Sequence, residues 1–199
     1  MIPWTLRRKT PPTERVVSTQ ELLEHDRLGD DTSEEDLLAA MGIAAEQAVE
    51  EELSRSILTQ TWELRLDAFP CEEIGLPRGP VASLAAVTPV QYVDTNGTTQ
   101  TLSSSLYTVD LYSTPPRILR AYSATWPVTR VFPNAVLVTY VTGEALELVP
   151  EMIRLAVKMT ALDLFQNRER SGAVGAVKEL DFYERLIGNY RNLWDPCYR

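Results

Sequence analysis

A chain of 199 residues with 44% hydrophobic and 24% charged side chains is long enough to bury one substantial core or two small ones. Its formal net charge of -9 argues against gripping nucleic acid through a broad basic surface, which needs clustered Lys and Arg against phosphates. No apolar run approaches a membrane span, and Met1 to Thr10 lacks the charged-then-apolar order of a signal peptide, so the chain is expected to be made and assembled in cytoplasm.

Residues 1–17 read as a flexible N-terminal arm. Pro3, Pro11 and Pro12 oppose regular structure. Trp4, Arg7, Arg8 and Lys9 are its candidate contact residues, the last three forming a basic run in an acidic chain. The segment is either a solvated end or one that orders against a partner.

Ser18-Thr-Gln-Glu21 is a capping box, with Val17 and Leu22 at the staple positions, and opens a short helix stopped near Gly29. A second box, Thr32-Ser-Glu-Glu35, opens a long helix running to Ser56. Its buried face is Leu38, Met41, Ala45, Val49 and Leu53. Glu46, Glu50, Glu51 and Glu52 crowd the rest of its surface. They are expected on a solvated face, against a neighbouring subunit, or along an aqueous channel.

The period then changes from about 3.6 to 2. In Thr59 to Phe69, Trp62, Leu64, Leu66 and Ala68 alternate with Thr61, Glu63, Arg65 and Asp67. Ile74 and Leu76 suggest a brief partner strand. Residues 81–142 read as mostly β. Val87 to Val93 and Thr98 to Leu102 flank an Asn96-Gly97 turn. Further strands are expected at Leu106 to Tyr112, Arg117 to Arg120 and Ala135 to Val141. An ordered loop from Ser123 to Asn134 carries Trp126-Pro127 and Phe132-Pro133.

Helix returns after Pro150. Met152 to Arg168 is apolar nearly all round, as in a helix central to a core or an assembly. A small-residue loop at 171–177 precedes a last helix with Leu180, Tyr183, Ile187, Tyr190 and Trp194 along one stripe. The order of elements gives an α+β class: a helical bundle from 18–57 and 150–194, an inserted antiparallel β-rich domain at 58–149, and a C-terminal tail at 195–199.

Catalytic chemistry is poorly supported. His25 is the single histidine, which excludes multi-histidine metal sites, and it reads as structural. Cys71 and Cys197 lie outside any CxxC spacing and read as reduced thiols. Gly172-Ala-Val-Gly175 lacks the GK[ST] ending of a phosphate loop, and no cofactor or metal is implied. A carboxylate-based hydrolase would need two close carboxylates, such as Glu72 and Glu73, in a cleft walled by aromatics such as Trp62, Trp126, Tyr107 or Tyr112. Asp163, in the apolar helix, needs a partner, such as Arg168 or a neighbouring subunit, or faces solvent.

Several ordered features carry a resemblance. They are Ser18-Thr-Gln-Glu-Leu-Leu23, Ser33-Glu-Glu-Asp-Leu-Leu38, Ala44-Ala-Glu-Gln-Ala-Val49 and Leu58-Thr-Gln-Thr-Trp-Glu-Leu-Arg-Leu66. Further along come Ile74-Gly-Leu-Pro-Arg-Gly-Pro80, the Tyr92-Val-Asp-Thr-Asn-Gly97 hairpin, Trp126-Pro127, Pro133-Asn-Ala-Val-Leu-Val-Thr-Tyr-Val141 and the helix from Val149-Pro150 to Asn167-Arg168-Glu169. Over most of residues 16–194 the chain resembles the head-tail connector, or adaptor, proteins of tailed phages.

The resemblance implies a structural protein without enzymatic activity. It would be a dodecameric ring in the virion neck, joining the portal to a downstream stopper or tail protein while double-stranded DNA passes through without sequence-specific binding. An acidic wall suits such a channel. Portal docking maps by resemblance to the C-terminal helix and tail, where the candidates are Tyr190, Arg191, Leu193, Trp194, Tyr198 and Arg199. The first 15 residues have no counterpart in the family's usual start. A stopper or tail-completion protein of the neck is the alternative.

Overall fold

The computed structural model describes residues 2–25, 35–82, 90–166, 183–185 and 187–192. The chain divides into two compact units. Described residues of Met1–Pro12, Thr59–Glu144 and Asn192–Arg199 form a sheet unit, and those of Thr13–Leu58 and Ala145–Arg191 form a helical unit.

The sheet unit holds two antiparallel sheets. In the larger, β1 (Trp4–Thr10), β2 (Gln60–Leu66), β8 (Val136–Thr142), β4 (Gln91–Val93) and β5 (Thr99–Thr101) lie in that order. In the smaller, β3 (Glu73–Gly75), β7 (Arg117–Arg120) and β6 (Tyr107–Asp110) lie in that order. β2 alternates as its sequence requires: Trp62, Leu64 and Leu66 are buried opposite Tyr140, Val138 and Val136 of β8. These side chains, with Ile74, Leu76, Val90 and Ile118, make one core. The Tyr140 hydroxyl, fully buried, donates to the Pro77 carbonyl at 2.9 Å. The long segment begins and ends side by side, since the Thr59 N–H donates to the Glu144 carbonyl at 3.1 Å.

The N-terminal segment corrects the sequence expectation. Residues 4–10 are not an arm but the edge strand β1, paired antiparallel with β2 from Trp4↔Leu66 to Thr10↔Thr61. The reason is visible in Trp-Thr-Leu-Arg-Arg: Trp4 and Leu6 alternate onto the sheet core while Thr5 and Arg7 face outward. Pro3, Pro11 and Pro12 bracket the strand without interrupting it, and an edge tolerates them. The expected strand at 106–112 is shorter, because Ser104–Leu106 turns as a 3-10 helix before β6. The β4–β5 turn also differs in type. Gly97 has φ 86°, Asn96 does not have positive φ, and the Gly97 N–H donates to the Asp94 carbonyl at 2.9 Å, which is a type I turn closed by a left-handed glycine. Both Asn96 and Thr98 N–H groups donate to Asp94 Oδ1 at 2.9 Å.

The helical unit packs α1 (Thr19–His25), α2 (Glu35–Leu53) and α3 (Glu151–Gln166) around one core. The first capping box forms: Ser18 N–H donates to Glu21 Oε2 at 2.9 Å, and Glu21 N–H to Ser18 Oγ at 3.2 Å. The second, at Thr32, lies outside the described residues. Leu38, Ala45, Val49 and Leu53 of α2 are buried as their spacing requires, facing Ile153, Ala156, Val157, Ala161 and Phe165 of α3 in the same core. Gly42 lets α1 approach α2, since a Cβ there would stand 3.2 Å from Leu22 Cδ1. Of the last stripe, Ile187 is buried and Tyr183 and Tyr190 pack against this core; Leu180 and Trp194 lie outside the described residues.

Candidate assembly surfaces

The four α2 glutamates do not share an open face. Glu46 is buried; its Oε1 accepts the Val16 N–H at 2.6 Å and its Oε2 the Arg15 guanidinium at 3.3 Å. Burial pushes its carboxyl above the ordinary range, against the opposing pull of the Val16 N–H and Arg15. Glu50, one turn on and also buried, accepts the Ile57 N–H at 2.9 Å. The two carboxylates thus satisfy main-chain donors where the chain enters α1 and where it leaves α2. Glu52 Oε1 holds Arg191 Nη2 at 2.9 Å, and Glu51 is exposed. The expectation of a solvated, inter-subunit or channel-lining face is therefore corrected for Glu46 and Glu50, which are buried. A carboxylate run on a helix looks solvated in sequence because the distant N–H groups it accepts cannot be seen there.

The C-terminal candidates divide similarly. Arg191 Nη2 lies 2.9 Å from Glu52 and 3.2 Å from Glu184 Oε2, and these bonds, Glu184's first, raise its affinity for the proton. Tyr190 is half-buried on the helical core, with the Arg55 guanidinium 6.0 Å from its ring centroid. Both residues fasten the end of the fold. Leu193, Trp194, Tyr198 and Arg199 lie outside the described residues.

At β1, the Arg8 and Arg78 guanidinium groups stand 5.1 and 5.5 Å from the Trp62 ring centroid. Lys9 Nζ lies 3.0 Å from Glu63 Oε1 and is the first cause holding that carboxyl below its ordinary range. Trp4 is half-buried, while Arg7 and Lys9 are exposed. The basic run is thus partly an internal counter-charge for β2.

Of the two carboxylates considered for hydrolysis, Glu73 is paired with a guanidinium and Glu72 is exposed. Glu73 Oε2 is bound by Arg117 Nη1 at 2.7 Å, and Arg117 Nε reaches Asp110 Oδ2 at 3.2 Å. Asp110 is lowered to about 2, first by the Ser113 hydroxyl, too acidic to donate a proton at neutral pH. Glu72 and Tyr112 are exposed, whereas Trp62, Tyr107 and Trp126 pack with the sheet core. Asp163 is exposed. Among the described residues no group of three His, Cys, Asp or Glu could hold a metal ion, and no helix is long and apolar enough to cross a membrane.

Two exposed apolar groups went unnoticed in sequence. In the loop before β8, Val128, Val131 and Phe132 are 75%, 102% and 55% exposed. The loop is nonetheless fixed. Trp126 stacks on Phe69 at 4.9 Å, the Arg130 N–H donates to the Val93 carbonyl at 3.0 Å, and the Asn134 N–H to Asp67 Oδ1 at 2.8 Å. The second group, Leu148 and Met152, sits where α3 begins, 70% and 48% exposed. Charge is also divided unevenly: the segments of the helical unit contain 10 basic and 20 acidic residues, those of the sheet unit 9 and 8, out of totals of 19 and 28.

No protein-family profile and no curated protein matches this chain. Solved structures do. A chain of the neck of an empty gene transfer agent (GTA) particle, computed with C6 symmetry, superposes with TM-score 0.78 at 24% identity, covering 98% of this chain and 99% of that one. A chain of the virion of the native GTA particle gives 0.76 at 22% identity, covering 96% and 97%. A chain of the native GTA neck computed with C12 symmetry gives 0.62 at 19% identity, covering 96% and 98%. The chain therefore has, along nearly its whole length, the fold of chains found in the neck and virion of a phage-like particle.

Proposed function

We propose that this chain is a structural neck protein of a tailed, phage-like particle: an adaptor whose copies form a dodecameric ring, joining the portal to the next neck or tail protein and leaving an axial passage for DNA. The single observation that carries the reading is the near-complete coverage, in both directions, of a chain from a GTA particle neck. Necks computed with C6 and with C12 symmetry both contain chains of this fold, and a ring of twelve satisfies both.

In this reading the protein does no chemistry. The C-terminal end beyond the Arg191–Glu52–Glu184 clamp is the proposed portal-docking segment. The clamp gives that end a fixed root on α2, so a docking tail would start from a defined direction and lose less freedom on binding. Deleting the gene tests the reading: filled heads and free tails should accumulate unjoined, and added protein should join them. Normal, infectious or transducing particles in the deletion strain would overturn it. Tails assembled with an unfinished tip surface, on heads already bearing a complete adaptor ring, would instead favour a stopper or tail-completion role.

A further inference from the structure

The two exposed apolar groups differ in the charge around them. Val128, Val131 and Phe132 flank exposed Arg130 in sequence, and its guanidinium lies 5.9 Å from the Phe132 ring centroid. Leu148, at the end of a 3-10 turn (Leu146–Leu148), and Met152, in the first turn of α3, each directly follow an exposed glutamate, Glu147 and Glu151. The Glu151 side chain is 90% exposed, although Arg154 Nε stands 3.6 Å from it.

We propose that these are the two halves of one head-to-tail contact: the Val128–Phe132 loop of one copy seats on Leu148 and Met152 of the next, with Arg130 against Glu147 and Glu151. This rests on the ring reading above and deepens it. A heterologous ring contact needs two different, complementary surfaces on every copy, which this chain presents. Each surface is apolar, and their charges are opposite. The units reinforce the pairing: a helical unit of net -10 repels another helical unit but not a sheet unit of net +1. The loop is also pre-shaped. Pro127 and Pro133 restrict its ends, and its main chain is bonded to Val93 and Asp67, so its apolar tip loses little freedom on docking.

The test is directional cross-linking in full-length protein with Cys71→Ser and Cys197→Ser, assembled with its portal and oxidised, with rings scored separately by electron microscopy. A chain carrying both Val131→Cys and Met152→Cys should give a ladder of covalent dimers, trimers and higher species. An equimolar mixture of the two single variants should stop at dimers, and each single variant alone should give none. Arg130→Glu should reduce ring yield at least tenfold, and Glu147→Arg with Glu151→Arg in the same chain should restore it. Closed rings without a ladder, or dimers from Val131→Cys alone, would overturn this contact while leaving the ring reading intact. Absence of rings from the parent protein would remove the ring reading and the contact with it.

Discussion

Replacing Glu46 tests the claim that the α2 carboxylates hold the fold instead of facing a channel. Glu46→Ala strands the N–H of Val16, a residue only 1% exposed, with no acceptor. A buried donor left unpaired costs about 1–3 kcal/mol, and a hydrogen bond to a charged group contributes about 1.5–3 kcal/mol net. The Arg15 pair adds little, because the Arg15 side chain is 48% exposed and solvent screens it. The expected loss is about 2–3 kcal/mol, read as a lower urea midpoint in circular dichroism at 222 nm. Glu46→Gln keeps an acceptor for Val16 and should lose only about 1 kcal/mol. The sign of its pH dependence follows from burial. A carboxyl whose folded pKa is raised contributes most below its unfolded value of 4.5 and loses that contribution as pH rises through the folded value. The advantage of wild type over Glu46→Gln should therefore shrink from pH 4 to pH 7. A Glu46→Ala variant within about 0.5 kcal/mol of wild type, the range of ordinary surface substitutions, would refute the reasoning.

Other consequences are separable. Glu50→Lys should destabilise by about 3–5 kcal/mol, leaving the Ile57 N–H unpaired and burying a lone ammonium, while Glu51→Lys should stay within about 0.5 kcal/mol; equal urea midpoints for the two would contradict the placement. Tyr140→Phe removes the donor to the buried Pro77 carbonyl and should cost about 1 kcal/mol, measurable as a lower Tm of the sheet unit. Lys9→Met should cost about 0.2–1 kcal/mol at neutral pH. Because Glu63's folded pKa is depressed, that stability is present above 4.5 and is lost as pH falls through the folded value, so the variant and wild type should converge in acid. Removing residues 193–199 should abolish co-sedimentation with portal; retained co-sedimentation would sink the docking assignment.

The legible parts of the fold were those set by local rules. Ser18 and Glu21 announce a helix start because both partners lie within one turn. Trp62, Leu64 and Leu66 announce a strand because the pleat imposes the same period on packing and sequence. What was not legible depended on distant partners. Trp4 and Leu6 carry a strand period, but three prolines and a basic run masked it, and β2, which completes the pairing, begins some 50 residues later. Glu46 and Glu50 read as solvated because the N–H groups of Val16 and Ile57 are brought to them only by tertiary folding. Val131 and Phe132 could not be read as exposed, since their loop is shaped by Phe69, Val93 and Asp67 from other strands and turns. The assembly surfaces are hardest of all, because their complement is a second molecule.

The most direct test of the neck reading is an axial view by electron cryomicroscopy of this protein bound to its portal. A closed ring of this chain, coaxial with the portal and with an open centre, is the predicted result. Bound protein scattered off the axis, or no ring at all on a competent portal, would contradict it.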